Sequence, residues 1–423
     1  MIRTEIQTVA IPEIYKRFTD LVGDKHWKNR IAQLKQNIKA NRFLADYIQS
    51  ENSIAFQLEH LRELTSEFGT IPFWEVNNHS IYPAIGFAAQ VLSIIDVSPQ
   101  QFTVQLIRRI HGALKNPDDM RALRLELSAA THFSRRGLKI SWPEMTGIGR
   151  FDLFIEGLGP KGLEVECKSI STNKGRKVHK QEVLEFYGLL WPHLEAKMKT
   201  LSTTGLSIVL TVPDRFPKDY DSRKKLAKQV GKQIVCGQSA AFSDGSILNI
   251  TEFDTSRLEI TQNTLNPEEI RAALDEITDT RNREAIVIGK MDGGALAFAV
   301  QSAKDDTLMK AIFDTLSDSV KKNQLSGIRG GMFLVELFGI DEEQIISIAS
   351  QDKDPSLPPT ALRLGVSKFL SNSSRNGVIG VGFLSKGSLL PEQGDFIDSG
   401  GGAYFFPNRE SSLWLDDFNG LFS

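Results

Sequence analysis

Residues 163–170 (LEVECKSI) alternate apolar and polar positions at a period of two, and only an extended strand gives that period a single apolar face. On such a strand Leu163, Val165 and Cys167 turn to a core, while Glu164, Glu166 and Lys168 share the opposite face. The run before it, 151–155 (FDLFI), is strand-like too. Between the two, residues 156–162 (EGLGPKG) carry the glycines and proline of a hairpin turn. Antiparallel pairing across that turn brings Asp152 beside Glu166. Paired carboxylates of this kind are the hard oxygen donors that Mg²⁺ prefers. A lysine beside them can orient an attacking water and steady an anionic transition state.

The flanking segments set the fold class. A helix is expected from about Asp119 to Arg136, stopped by Gly137 behind Arg135 and Arg136. Strand-like runs follow at 138–142, 151–155 and 163–170. A helix from Gln181 to about Thr200, a strand at 206–212, a basic helix from Ser222 to Gln233 and a strand-like piece at 246–253 come next. This order predicts an α/β fold, a central mixed sheet flanked by helices. Residues 1–117 carry apolar residues at spacings of three and four and read as a helical accessory domain. Residues 118–260 hold the hairpin. Residues 265–423 repeat a looser helix and strand grammar and are expected to form a C-terminal α/β module with a regulatory or oligomerising role.

Composition narrows the function classes. With 41% apolar and 24% charged residues, the chain of 423 residues reads as globular rather than disordered. Fifty Lys and Arg against 52 Asp and Glu leave a net charge of −2, which argues against a histone-like protein. Two cysteines, Cys167 and Cys236, make no disulfide framework and suit a reducing cytoplasm. No run approaches the ~18 apolar residues of a membrane span. The first residues lack the basic start and apolar run of a signal peptide. A cytoplasmic protein without membrane contact is expected.

Asp152, followed on the hairpin by Glu166, Cys167 and Lys168, resembles the signature of the PD-(D/E)xK nuclease superfamily, the restriction-endonuclease-like fold. The resemblance spans about residues 119–255 and includes the preceding helix, whose Glu126 matches an acidic residue that often completes the family's site. It implies that Asp152, Glu166 and the Cys167 main-chain carbonyl hold Mg²⁺ or Mn²⁺. Lys168 would serve the nucleophilic water, and Glu126 a second metal or a metal-bound water. Phe151 stands where the name-giving proline would be. Gln181 opens the following helix as in some branches, but Glu185 stands where those branches place a tyrosine. The implied activity is a metal-dependent endonuclease cutting DNA, in the manner of a regulated prokaryotic defence effector against phage. Two other readings stay open. One is a nuclease fold without chemistry, serving as a nucleic-acid-binding or assembly subunit; the other is an RNase. A homo-oligomer is also open, since cutting both strands usually takes two sites.

Local charge fits a nucleic-acid partner. Residues 121–182 hold twelve Lys and Arg against seven acids, in a chain whose total is negative. Lys174, Arg176, Lys177 and Lys180, with Gln181, directly follow the motif strand, where a phosphate backbone would pass. A second basic cluster, Arg223, Lys224, Lys225, Lys228 and Lys232, serves equally as a solvated helix face or a nucleic-acid contact.

Overall fold

The computed structural model describes residues 2, 6–255, 267–280, 283–289, 293–385, 388–391 and 396–421. The expected boundary at 260–265 lies outside the described residues. The helices are α1 (Ile11–Val22), α2 (Lys25–Ala40), α3 (Ala45–Glu51), α4 (Ser53–Phe68), α5 (Tyr82–Ile95), α6 (Gln100–Ala113) and α7 (Pro117–Arg135). They continue with α8 (Pro143–Thr146), α9 (Lys180–Thr200), α10 (Tyr220–Cys236), α11 (Pro267–Thr278), α12 (Leu308–Lys321), α13 (Glu342–Lys353) and α14 (Ala361–Leu370). The strands are β1 (Ile6–Gln7), β2 (Lys139–Ser141), β3 (Leu153–Glu156), β4 (Leu163–Ile170), β5 (Thr204–Val212), β6 (Ala240–Ala241) and β7 (Ile247–Asp254). The rest are β8 (Arg283–Gly289), β9 (Ala295–Ser302), β10 (Gly331–Leu337), β11 (Val378–Leu384), β12 (Ser388–Pro391), β13 (Phe396–Gly400) and β14 (Ala403–Pro407).

Two compact units share these elements. One comprises residues 1–35, 49–174 and 309–423, the other 36–48 and 175–308. The first holds a six-stranded mixed sheet in the order β14-β11-β10-β4-β3-β2. β2, β3 and β4 form an antiparallel meander, β10 runs parallel to β4 and β11 parallel to β10, and β14 closes the far edge antiparallel. Helix α7 packs against the meander. On another side Phe333, Val335 and Leu337 of β10 join Ile312 and Leu316 of α12 and Leu362, Val366 and Phe369 of α14 in one core. The second unit is α/β as well. Its sheet has the order β6-β7-β5-β9-β8, and α9 and α10 share its main core.

Local chemistry explains the elements that carry the motif. Asn116 caps α7 by accepting the Asp118 N–H, Pro117 occupies the first turn, and Asp118 and Asp119 meet the positive end of the helix dipole. Gly137 follows the helix at φ +77°, a left-handed position that favours glycine. The hairpin between β3 and β4 ends at Gly162, where φ is +71° and a Cβ would stand 2.4 Å from the Phe154 ring. No side chain fits there.

One expectation is corrected by the topology. The sheet partner that follows β4 is not the strand at 206–212 but β10, from the C-terminal third. β5 and β7 instead build the sheet of the second unit, with β5 parallel to β9. Accordingly the helix leading into the parallel partner is α12 rather than α9. Both β5 and β10 are continuous apolar runs of the kind a central strand needs, so their local composition does not distinguish them. The compact units themselves are discontinuous in sequence. α5 and α6 pack on α7 inside the first unit, and residues 175–308 interrupt that unit between β4 and the body of α12. Among the described residues no helix is long and apolar enough to cross a membrane.

Candidate carboxylate site

β4 lies between β10 and β3, so its charged residues sit on a central strand. Glu164 and Glu166 are buried, at 0% and 1% exposure, and Lys168 is partly exposed. A solvated edge strand blunted by charge would leave these side chains in water. Burial of unneutralised carboxylates costs stability and calls for a physical reason.

The two glutamates have different surroundings. Glu164 is saturated: one oxygen accepts the Ser326 backbone N–H at 2.6 Å, the other accepts the Ser326 hydroxyl, and Arg329 Nε lies 3.1 Å away. Glu166 has one oxygen on Lys168 Nζ at 2.5 Å, while its Oε2 is buried without a hydrogen-bond partner. Of the two, Glu166 also stands two residues before Lys168, the spacing of the motif.

Asp152 stands where the hairpin stops pairing. The last bridged pair is Leu153 with Val165, and beyond it Asp152 Oδ2, rather than a main-chain group, accepts the Cys167 N–H at 2.7 Å. The N–H and C=O of one strand residue point to the same neighbour, so the Cys167 carbonyl turns to the side of Asp152. The Cys167 thiol is buried, and burial together with the Asp152, Glu126 and Glu166 charges pushes it well above the ordinary thiol range. It is no nucleophile. Glu126 reaches the same region from the middle of α7; Arg109 of α6 donates to its Oε1, and its Oε2 is buried without a partner.

Electrostatics ties these groups together. Burial, then the Asp152 charge, pushes Glu126 and Glu166 each up to about 8. Asp152 rises to about 6, mainly through burial, with the Cys167 N–H pulling the other way. Burial disfavours the Arg109 charge, and Glu126, aided by Asp152 and Glu144, more than offsets it. The carboxylates thus feel one another, which is the condition that a divalent cation relieves. Hard oxygen donors with two unpartnered atoms fit Mg²⁺ or Mn²⁺ in chemistry. Glu126 leans on Arg109 and Glu166 on Lys168, and among the described residues no three of His, Cys, Asp or Glu are gathered into a coordination group.

No family model, no curated protein and no solved structure matches this chain. The functional reading therefore rests on the residues themselves.

The basic loop is less available than its charge implies. Arg176 ion-pairs with Glu284 and Asp306, and Lys177 Nζ lies 2.9 Å from Asp214, all within the second unit. Gln181 donates to Glu185. Lys174 is exposed at the end of the first unit's segment, and Lys180 is exposed at the first turn of α9. Arg223 of the second cluster is buried against Glu185.

Arg109 is the site residue that sequence reasoning missed. α6 buries Phe102, Leu106, Ile110 and Ala113, and Arg109 sits one position before Ile110 beside that apolar stripe. An arginine at the shoulder of a packed face was the available signal.

The raised glutamates make stability pH-dependent with a definite sign. Unfolded glutamate titrates near its model value of 4.5, whereas the folded chain holds these protons to about 8. Between those values the folded state binds more protons, so stability falls as pH rises. Urea midpoints at pH 5.5 and pH 8.0 should show this fall, and the Glu126→Gln, Glu166→Gln double variant should flatten it. An equally steep fall in that variant would place the titrating groups elsewhere.

Proposed function

We propose that this chain is a metal-dependent nuclease that hydrolyses phosphodiester bonds in DNA, on a restriction-endonuclease-like framework. The observation that carries the reading is that Asp152, Glu126 and the Lys168-paired Glu166 are all buried and feel one another's charge, although among the described residues no three of His, Cys, Asp or Glu form a coordination group. These are buried carboxylates held at raised pKa, two of them with an oxygen that has no hydrogen-bond partner among the described residues. A packed core has no use for such a set, and a cation site does. The mixed sheet supports it, since α7 packs on the β2-β3-β4 meander and β10 runs parallel to β4, although the helix and strand that follow the meander within the first unit are α12 and β10 rather than those at 181–200 and 206–212.

Asp152, Glu166 and the Cys167 carbonyl would hold Mg²⁺ or Mn²⁺, and Glu126 would hold a second ion or a metal-bound water. Such an ion would supply Lewis-acid chemistry for the phosphate and for a water. Lys168, with a side chain 20% exposed, holds its ammonium on Glu166 and can keep a water aligned for in-line attack while offsetting phosphate charge. Arg109 fixes one Glu126 oxygen and leaves the other turned away from the pair.

Metal binding is testable apart from cleavage. A ligand that binds only the folded state stabilises it by about 2.7 kcal/mol at a hundred times its Kd. Mn²⁺ should therefore raise the melting temperature of the wild type, and Asp152→Ala should abolish the rise. A melting temperature indifferent to Mn²⁺ and Mg²⁺ would remove the metal from the mechanism.

A further inference from the structure

Helix α10 of the second unit is anchored by Leu226, Ala227, Val230 and Ile234, all buried. Arg223 is drawn inward as well, donating to Glu185 and to the Pro217 and Lys218 carbonyls. The remaining basic residues behave differently. Lys224, Lys225, Lys228 and Lys232 are exposed, and among the described residues none of the four lies in an ion pair. At 100° per residue they fall within a stripe roughly 100° wide, and 224 to 232 spans about 12 Å of helix axis.

Acids that could neutralise this stripe are engaged or few. Asp214 pairs with Lys177 and Lys304, and Asp219 caps the helix by accepting the Ser222 N–H. Asp221 is exposed at the start of the stripe, one turn before Lys224 and Lys225. Residues 213–237 hold seven basic against three acidic residues, in a chain whose total is negative. An ordinary solvated helix intersperses acids at i+4, which lowers repulsion between like charges. At the N-terminal end Tyr220 is 55% exposed, with Lys224 Nζ 5.9 Å from its ring centroid. A row of ammonium groups outside any ion pair among the described residues complements a polyanion with charges every few ångströms, as the nucleic-acid backbone has.

We propose that the outward face of α10 docks duplex DNA, with Lys224, Lys225, Lys228 and Lys232 contacting phosphates without reading sequence. The choice of DNA as the polyanion rests on the nuclease reading; the docking surface itself does not. It lies on an element that carries none of the carboxylate residues, so the two can fail separately.

The test measures binding of a fluorescent DNA duplex to the full chain in EDTA, where cleavage is blocked, across a salt series. The wild type is compared with the quadruple variant Lys224→Gln, Lys225→Gln, Lys228→Gln, Lys232→Gln. A control replaces four exposed lysines elsewhere: Lys16→Gln, Lys28→Gln, Lys39→Gln, Lys115→Gln. Each phosphate contact contributes about 0.9 to the slope of log affinity against log salt. The α10 variant should bind at least about tenfold more weakly, with a slope shallower by about 3.6, while the control stays near wild type. Equal binding by wild type and the α10 variant overturns the docking surface, even if the wild type cuts plasmid through Asp152. Equal losses in both variants also overturn it, since net charge would then be the cause. A wild type that binds acidic lipid vesicles but not DNA assigns the stripe to a membrane surface and overturns it too. Binding that depends on α10, in a protein that cuts nothing, upholds the surface and sinks the nuclease.

Discussion

Supercoiled plasmid should be nicked or linearised by the wild type in Mg²⁺ or Mn²⁺, left intact in EDTA, and cut at least about a hundredfold more slowly by Lys168→Ala or Asp152→Ala. The two variants fail for different reasons. Asp152→Ala removes the carboxylate that ends the β3–β4 pairing on the Cys167 N–H, so the donor set loses its central member. Lys168→Ala leaves every carboxylate in place and removes the ammonium that rests on Glu166. Metal-induced stabilisation should therefore survive in Lys168→Ala and vanish in Asp152→Ala, which separates binding from chemistry. Arg109→Ala should weaken metal binding by about 10- to 100-fold, as is usual when the support of a ligand is lost. Residual cleavage of equal size in all proteins would indicate a contaminant. Binding without any cleavage would favour the inactive, nucleic-acid-binding subunit.

Two glutamates two residues apart should respond to substitution in opposite ways. Glu164 is buried and fully satisfied by Ser326 and Arg329, so Glu164→Ala strands a guanidinium and two donors. Breaking such a pair costs about 3–5 kcal/mol, and the lower end applies here because Arg329 keeps about a third of its exposure. Glu166→Gln instead removes a carboxyl that burial and Asp152 already push toward its neutral form, and should leave stability unchanged or raise it at pH 8. Losing function while gaining stability is the usual signature of a strained site. Urea denaturation of both variants, read beside plasmid cleavage, decides the matter. Comparable destabilisation by both would make Glu166 a structural residue and take the centre out of the proposed site.

What the sequence disclosed was local. The period of two in residues 163–170, the glycine that ends the hairpin, and the Asn-Pro start and Gly stop of α7 each act within a few residues, and each recurs in the structure. The partner of β4 could not be read in this way. Helix and strand alternate at 181–254 much as they do at 308–337, and which strand joins β4 depends on pairing across more than 160 residues. Charge had the same limit. Arg176 looked available until Glu284 and Asp306, over a hundred positions away, were found beside it. Arg109 escaped notice because its partner sits on another helix, 17 residues on.

The interruption of the first unit has a consequence during synthesis. At about 5–20 residues per second, the ribosome needs roughly 8–30 seconds to pass from the end of β4 to the start of β10. Throughout that interval the strand bearing Glu166 and Lys168 has β3 on one side and an open edge on the other. A nascent or prematurely terminated chain then carries every residue of the motif without the wall that holds it. Assembly of the carboxylates is thereby coupled to synthesis of β10, and a fragment ending before β10 is expected to be inert.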